Sequence, residues 1–350
     1  MSTPLKIRVE AAAAQLLYAL PLPVRRLIAG RPIRLDGQEL ALDAQLLLRL
    51  QQLSGASLVA GSVAASRAEL DLGRHLVSGK PIQPVHTAEV TIPAEHGDVP
   101  ATLYTPEGLP TGSGLLVFFH GGGWVVGTRQ SHDNTARFLA KHADVRVLSV
   151  EYRLAPEHPF PAATEDALAA FDHAHAKATD LGADPERIAV GGDSAGGNLA
   201  AVVAQLATRR GGPAPAFQLL IYPAVDATVR RRSRELFGNG FFLTDEHMTW
   251  FLDHYAPEGV RRADPRLSPL LAEDLGGLPP AYIATAGFDP LRDEGEAYAR
   301  RLAEAGVPVA LSRQSDLIHG YVNFLGVGRR FVEATAEAAG ALRVGLSGIS

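Results

Sequence analysis

Apolar positions in the first 85 residues recur at helical spacing. Leu42, Leu46, Leu47, Leu50 and Leu53 fall along one side of a helix, and Val59, Val63, Leu70 and Leu72 continue the pattern more loosely. No strand pattern is found there. Lys80-Pro81-Ile82-Gln83-Pro84 ends the helical stretch and reads as a connector. From about residue 86 the rhythm changes. Short apolar runs at 89–92, 101–104, 115–119, 145–150, 187–190, 217–222, 281–286 and 309–313 predict eight strands. The first two can pair as a hairpin across His96-Gly97-Asp98. Between most of the others lie stretches long enough for crossover helices, at 131–142, 163–179, 197–209 and 294–305. Leu115-Leu116-Val117-Phe118-Phe119 is apolar at every position, as a strand covered on both faces must be. The pattern predicts an α/β fold with a mostly parallel eight-stranded sheet flanked by helices.

One interval breaks the alternation. About sixty residues separate Tyr222 from Ala281, too many for a simple crossover. They carry Phe237, Phe241, Phe242, Trp250, Phe251 and Tyr255, so an insertion is expected at about 226–265. At the other end, Lys6 and Arg8 precede the stretch from Ala11 to Leu22. Glu10 and Gln15 interrupt it, and no small-x-small cleavage site follows before Pro21 and Pro23. It reads as an amphipathic helix, not a signal peptide.

The 350 residues suffice for a sizeable two-sided core, and 46% hydrophobic with 20% charged residues is ordinary for a globular protein. Net charge is −5, and the densest basic spot, Arg230-Arg231-Arg232 with Arg234, reads as a solvated face. Nucleic acid is not an expected partner, nor is integral membrane association, since no apolar run reaches 18 residues. The chain has no cysteine, which excludes disulfides, thiolate metal sites and cysteine nucleophiles and suits a cytoplasmic setting.

Candidate chemistry centres on Gly192-Asp193-Ser194-Ala195-Gly196, set between a strand and a helical stretch. A serine on a sharp strand-to-helix turn needs small neighbours, and the following helix points its N–H groups at developing negative charge. Alone the pentapeptide is a weak signal, equally a glycine-rich turn with an incidental serine. Its placement raises it. His120-Gly121-Gly122-Gly123-Trp124 directly follows the strand at 115–119. Consecutive glycines let backbone N–H groups face a cavity, as an oxyanion in acyl transfer requires. Gly122, Gly123 and Ala195 are the expected donors. The competing reading, a phosphate-binding loop, lacks the Lys-Ser/Thr ending, and His120 is expected to orient the loop. Of 12 histidines, only His319 lies beyond Ser194 at the end of a late strand, His247 and His254 falling in the insertion. Asp289 follows the strand before it, with Asp293 as its rival, a residue that also suits a helix start. Serine, acid and base in that order suit a nucleophile elbow with its partners on later loops.

These motifs resemble the hormone-sensitive-lipase family of bacterial esterases and lipases within the α/β-hydrolases. The matching text is HGGGW at 120–124, YRLAPEHPFPAA at 152–163, GDSAGGN at 192–198, DPLRDEG at 289–295 and HGY at 319–321, reaching across about residues 88–325. The resemblance implies ester hydrolysis by Ser194, His319 and Asp289 without metal or cofactor. It also implies a helical cap made from residues 1–85 and the insertion, over a catalytic domain at 86–350. Glu157 and His158 look like an acid–base pair, but Pro156, Pro159 and Pro161 make their segment a rigid loop, expected to support the oxyanion loop. Asp193 and Asn198 are expected to brace the serine turn. The text departs from the family's habit before the base, where Gln314-Ser315-Asp316-Leu317-Ile318 carries no aromatic residue. Trp124, Phe241 and Phe242 are the expected pocket residues, for short- to medium-chain esters. The expected partner is a small-molecule ester, and any self-association is expected as a homodimer. No lid of strongly surface-binding character is evident, which favours an esterase over a lipase. Amide or lactone cleavage on the same scaffold and non-catalytic ligand binding are the alternatives.

Overall fold

The computed structural model describes residues 5–347. Helices α1 (Leu5–Ala19), α2 (Leu22–Ala29), α3 (Leu42–Ser54) and α4 (Val63–Val77) fill the first part, as the periodicity predicts. The reading of no strand there is corrected in one place. Strands β1 (Arg34–Leu35) and β2 (Gln38–Glu39) pair antiparallel across Asp36 and Gly37, both at positive φ. An Asp-Gly turn suits such a hairpin, and two-residue strands are too short for their own periodicity to show.

All eight strands expected further on are present in one sheet: β3 (Val85–Ile92), β4 (Val99–Pro106), β5 (Ser113–Phe119), β6 (Arg146–Val150), β7 (Ala183–Asp193), β8 (Phe217–Ile221), β9 (Ala281–Phe288) and β10 (Val309–Ile318). Their order across the sheet is β10-β9-β8-β7-β5-β6-β4-β3. The pairs from β10 to β6 are parallel; those of β4 with β6 and with β3 are antiparallel, the latter as the expected hairpin. Between and after the strands lie α5 (Asp133–Ala143), α6 (Ala162–Ala176), α7 (Ala195–Arg209), α8 (Arg232–Phe237), α9 (Asp245–Tyr255), α10 (Arg292–Glu304) and α11 (Arg329–Gly345). Among the described residues no helix is long and apolar enough to cross a membrane.

Alternation along the strands divides the core in two. On β5, Leu115, Val117 and Phe119 enter the layer shared with α6, α7 and α10, while Leu116 and Phe118 enter the layer shared with α5 and α11. Every β5 residue is buried, which is why no polar position interrupts it after Ser113 at its start. From β5 the chain steps to β6 on one side; from β7 it steps to β8, β9 and β10 on the other. Neighbouring strands whose onward connections diverge leave a crevice at their carboxyl ends. Phe119 and Gly192 are register partners there, so the glycine loop after β5 and the serine turn after β7 open into one crevice.

Candidate active site

Ser194 caps α7 with φ 56° and ψ −117°, a conformation that costs an L-residue about 1–3 kcal/mol unless its surroundings enforce it. They do. Ser194 N–H donates to Ile221 O at 2.9 Å, and Ser194 O accepts from Asn198 N at 3.0 Å. The Asn198 amide, fully buried, donates to Ala224 O (2.7 Å) and Leu267 O (2.8 Å), holding the segment after β8 against the turn. A Cβ on Gly192 would stand 2.3 Å from the Phe119 carbonyl oxygen and one on Gly196 only 1.9 Å from it. Glycine is demanded at both positions by this close approach.

His319 arrives on a longer strand than the apolar run suggests. β10 continues to Ile318, and after an irregularity its register with β9 resumes at Ile318 opposite Phe288. The next residues, His319 and Asp289, therefore lie side by side. His319 Nδ1 meets Asp289 Oδ2 at 2.8 Å and His319 Nε2 meets Ser194 Oγ at 3.0 Å. Asp289 is fully buried, its other oxygen accepting from Leu291 N at 2.9 Å. Asp293 lies elsewhere: it accepts from Ser233 N and from Arg292 in the first turn of α10.

In the glycine loop, Gly122 O accepts from Val125 N (3.1 Å) and Val126 N (3.0 Å), with φ of 123° at Gly122 and 58° at Gly123. A Cβ on Gly123 would stand 2.3 Å from the Phe251 ring. Gly122, Gly123 and Ala195 line the same cavity as Ser194 and His319. His120 stacks on Tyr152 at 4.3 Å, its Nδ1 2.8 Å from Gly121 O. Burial first, then the neighbouring His132, push its pKa down to about 3, so the ring is neutral.

Asp193 does more than brace the serine turn. Its carboxylate accepts from Gly121 N at 2.8 Å, from Asn323 Nδ2 at 3.3 Å and from Tyr222 OH at 3.4 Å, and stands 3.3 Å from His132 Nε2. One side chain thus joins the glycine loop, the serine turn and the segment after His319. Burial pushes this carboxyl up, but His132 and the Gly121 N–H together outweigh it and hold the pKa below the ordinary value. The sequence carries no local sign of His132 or Asn323, because each meets Asp193 from a remote loop. Behind the glycine loop, Arg67 of α4 donates to Val125 O and Ala155 O, both at 2.9 Å, and grips the Glu157 carboxylate at 2.8 and 2.7 Å.

The cavity over Ser194 encloses about 800 Å³. Leu17 and Tyr18 of α1, Leu70 and Val77 of α4, and Met248 and Phe251 of α9 contribute to its walls. Trp124 and Phe242 line it as expected, Trp124 stacked on Tyr255 at 4.5 Å. Phe241 does not, and the expectation for it is corrected. Its ring packs on Phe237 (5.6 Å) and Phe288 (5.3 Å) inside the core. Adjacent side chains in this irregular stretch point opposite ways, and Phe242, at φ 67°, is the one turned to the cavity. The wall beside His319, left open by the missing aromatic before it, is filled by Phe242 and Phe324, both packed on Gly320. Among the described residues no three imidazole or carboxylate groups converge as ligands of a metal would.

The profile of the α/β-hydrolase fold matches residues 116–323. The carboxylic ester hydrolase LipN of Mycobacterium tuberculosis is 48% identical over 337 residues, covering 94% of this chain and 89% of its own length. The ethyl acetate hydrolase of Pseudomonas putida is 40% identical, covering 73% and 82%. Among solved structures, an ester hydrolase from the metagenome of Lake Arreo, in complex with a bipyridine phosphonate derivative, superposes with a TM-score of 0.84. It is 41% identical and covers 87% of this chain and 98% of its own. The profile match, these identities and the shared architecture have one outcome: the chain belongs to the hormone-sensitive-lipase-like family of α/β-hydrolases.

Proposed function

We propose that the chain is a carboxylesterase that cleaves short- to medium-chain carboxylic esters through a covalent acyl-enzyme, with Ser194 as nucleophile, His319 as base and Asp289 as the acid that orients it. The observation that carries this reading is the hydrogen-bonded line from Ser194 Oγ through His319 to Asp289, in the crevice that the glycine loop also faces. Ser194 Oγ attacks the ester carbonyl carbon while His319 Nε2 takes the hydroxyl proton, and the buried Asp289 carboxylate stabilises the imidazolium. The carbonyl oxygen, now an oxyanion, rests on the N–H groups of Gly122, Gly123 and Ala195, each worth about 3 kcal/mol of barrier. Collapse of the tetrahedral species breaks the bond to the alcohol oxygen, and His319 returns the proton to that leaving group. A water deprotonated by His319 then attacks the acyl carbon, and the proton passes back to Ser194 as the acid leaves.

Residues 1–85 and the insertion at about 226–265 act in this reading as a cap that supplies most of the pocket wall. The apolar side chains around Ser194, Trp124 and Phe242 among them, suit an unbranched acyl or alkyl chain better than a charged one. Hydrolysis of p-nitrophenyl esters from acetyl to palmitoyl tests the proposal. Rates are expected to be highest on short and medium chains, and Ser194→Ala is expected to lose about 10⁴-fold or more in kcat. Undiminished turnover by that variant would overturn the assignment, and a maximum at palmitoyl would make the enzyme a lipase.

A further inference from the structure

Four of the ten large apolar side chains that stand exposed among the described residues fall within twelve positions: Leu16 (67%), Leu22 (55%), Val24 (40%) and Leu27 (82%). α2 buries no residue at all. Tyr18 and Arg25 of the same segment are turned inward, while Gln15 and Arg31 stay exposed. Tyr18 OH donates to Asp43 O at 3.0 Å, and Arg25 Nη1 meets Asp43 Oδ1 at 3.1 Å. Gln45 Nε2 donates to Ala29 O and Arg31 O at 2.9 and 2.6 Å. Asp43 and Gln45, both on α3, are buried. Polar inside and apolar outside is the reverse of a helix that faces water. Charge divides along the chain in the same place. Residues 1–34 hold six basic residues and one acidic, against 27 and 37 in the remainder, so a segment of +5 sits on a body of −10.

We propose that α1, α2 and the turn between them form a peripheral docking surface for an anionic lipid bilayer. Exposed leucines would enter the boundary between headgroups and acyl chains, and the net positive charge of the segment, with Arg31 exposed on it while Arg25 and Arg34 pair with Asp43 and Glu39, would be drawn to the anionic headgroups. A second copy of the chain is the poorer occupant, because it would set one +5 segment against another. Periodicity alone does not reveal this surface, since α2 has only eight residues; solvent exposure does. The surface also has a use. Ala14, Leu17 and Tyr18 of the same helix α1 line the cavity that holds Ser194. An apolar ester dissolved in the bilayer would then lie about one helix diameter, roughly 10 Å, from that cavity.

Sedimentation of the purified full chain with phosphatidylcholine vesicles, with and without phosphatidylglycerol, tests the proposal. The chain is expected to pellet with the anionic vesicles, to stay in solution with the neutral ones, and to be released as salt rises from about 0.05 to 0.5 M. The double variant Leu22→Ser/Leu27→Ser should bind at least about tenfold more weakly, and Arg31→Glu should weaken binding further, both with unchanged hydrolysis of water-soluble p-nitrophenyl acetate. Failure of the unsubstituted chain to bind anionic vesicles overturns the proposal without recourse to any variant. So does binding that the double variant retains in full. A dimer that the double variant dissociates, with no vesicle binding, would assign the surface to a second copy and overturn it equally. The Ser194→Ala chain should bind as the unsubstituted one does, which keeps this result separate from the fate of the esterase reading.

Discussion

Glu294 stands in the cavity wall beside Asp226, almost out of contact with water. Its Oε1 accepts from Val225 N at 2.8 Å and Asp226 N at 3.3 Å, so the side chain fixes the segment that leaves β8 toward the insertion. Burial, against which those two N–H groups only partly help, pushes its pKa up from 4.5 to about 8. A carboxyl with a raised folded-state pKa binds its proton more tightly in the folded chain than in the unfolded one. Its favourable contribution is full below about pH 4.5 and is lost as pH climbs through 8. Glu294→Gln keeps the acceptor oxygen and removes the charge. Relative to the unsubstituted chain, the variant should therefore gain stability with rising pH, by on the order of 2–4 kcal/mol between pH 5 and 9. Thermal unfolding at those two values checks it; a difference that stays flat or falls with pH would show that Glu294 is not held as a neutral acid.

At the scale of elements, the glycine loop depends on a helix more than fifty positions before it. Arg67 joins α4 to Val125 O, Ala155 O and Glu157, and holds the Glu157 carboxyl down to about 2. Arg67→Ala leaves two carbonyls and a carboxylate without their donor and should cost about 1–3 kcal/mol of stability. Under the proposed mechanism it should also lower kcat about tenfold with little change in KM, because there the loop's donors act on the oxyanion, not on the bound ester. Arg67→Lys should recover little, since an ammonium cannot span all three acceptors. Stopped-flow or steady-state kinetics on a medium-chain ester, with a melting curve, would show a KM effect alone if the loop were held by other means. How much of this was readable in the chain differs by element. β5 is apolar from Leu115 to Phe119 and announces itself, as do the turn glycines crowded by Phe119; of β7 only the part around Ile188 to Val190 does, because Asp184, Glu186 and Arg187 are polar and stand outside the core. The apolar run of β10 stops five residues short of the strand's end, because Gln314 to Asp316 are polar and an edge strand paired only with β9 tolerates such residues. Arg67 gives no sign at all: its three partners are spread over thirty-odd positions, and nothing in the spacing connects them. Phe241 and Phe242 are indistinguishable in the text, and only the backbone turn at Phe242 sorts core from cavity.

For the molecule as a whole, the sheet order accounts for the site, and the helices before the sheet together with the insertion account for access to it. Divergence of the chain from β5 and β7 makes the crevice, and six parallel strands deliver their loops to that one edge. Closure over the crevice comes from segments remote in sequence, α1 and α4 before the sheet and α9 within it, so the pocket wall is legible only once the chain has folded. The uneven distribution of charge has a consequence for how the protein meets any charged solid. A particle of net −5 should pass through a cation-exchange column at pH 7, yet the +5 segment at one end gives this one a handle for such a resin. At low salt, where charges reach beyond about 10 Å, it should be retained on both cation- and anion-exchange media, in opposite orientations. Removing residues 1–34 should abolish retention on the first and strengthen it on the second. The chain is thus a molecule with a front and a back, and an electric field can tell them apart.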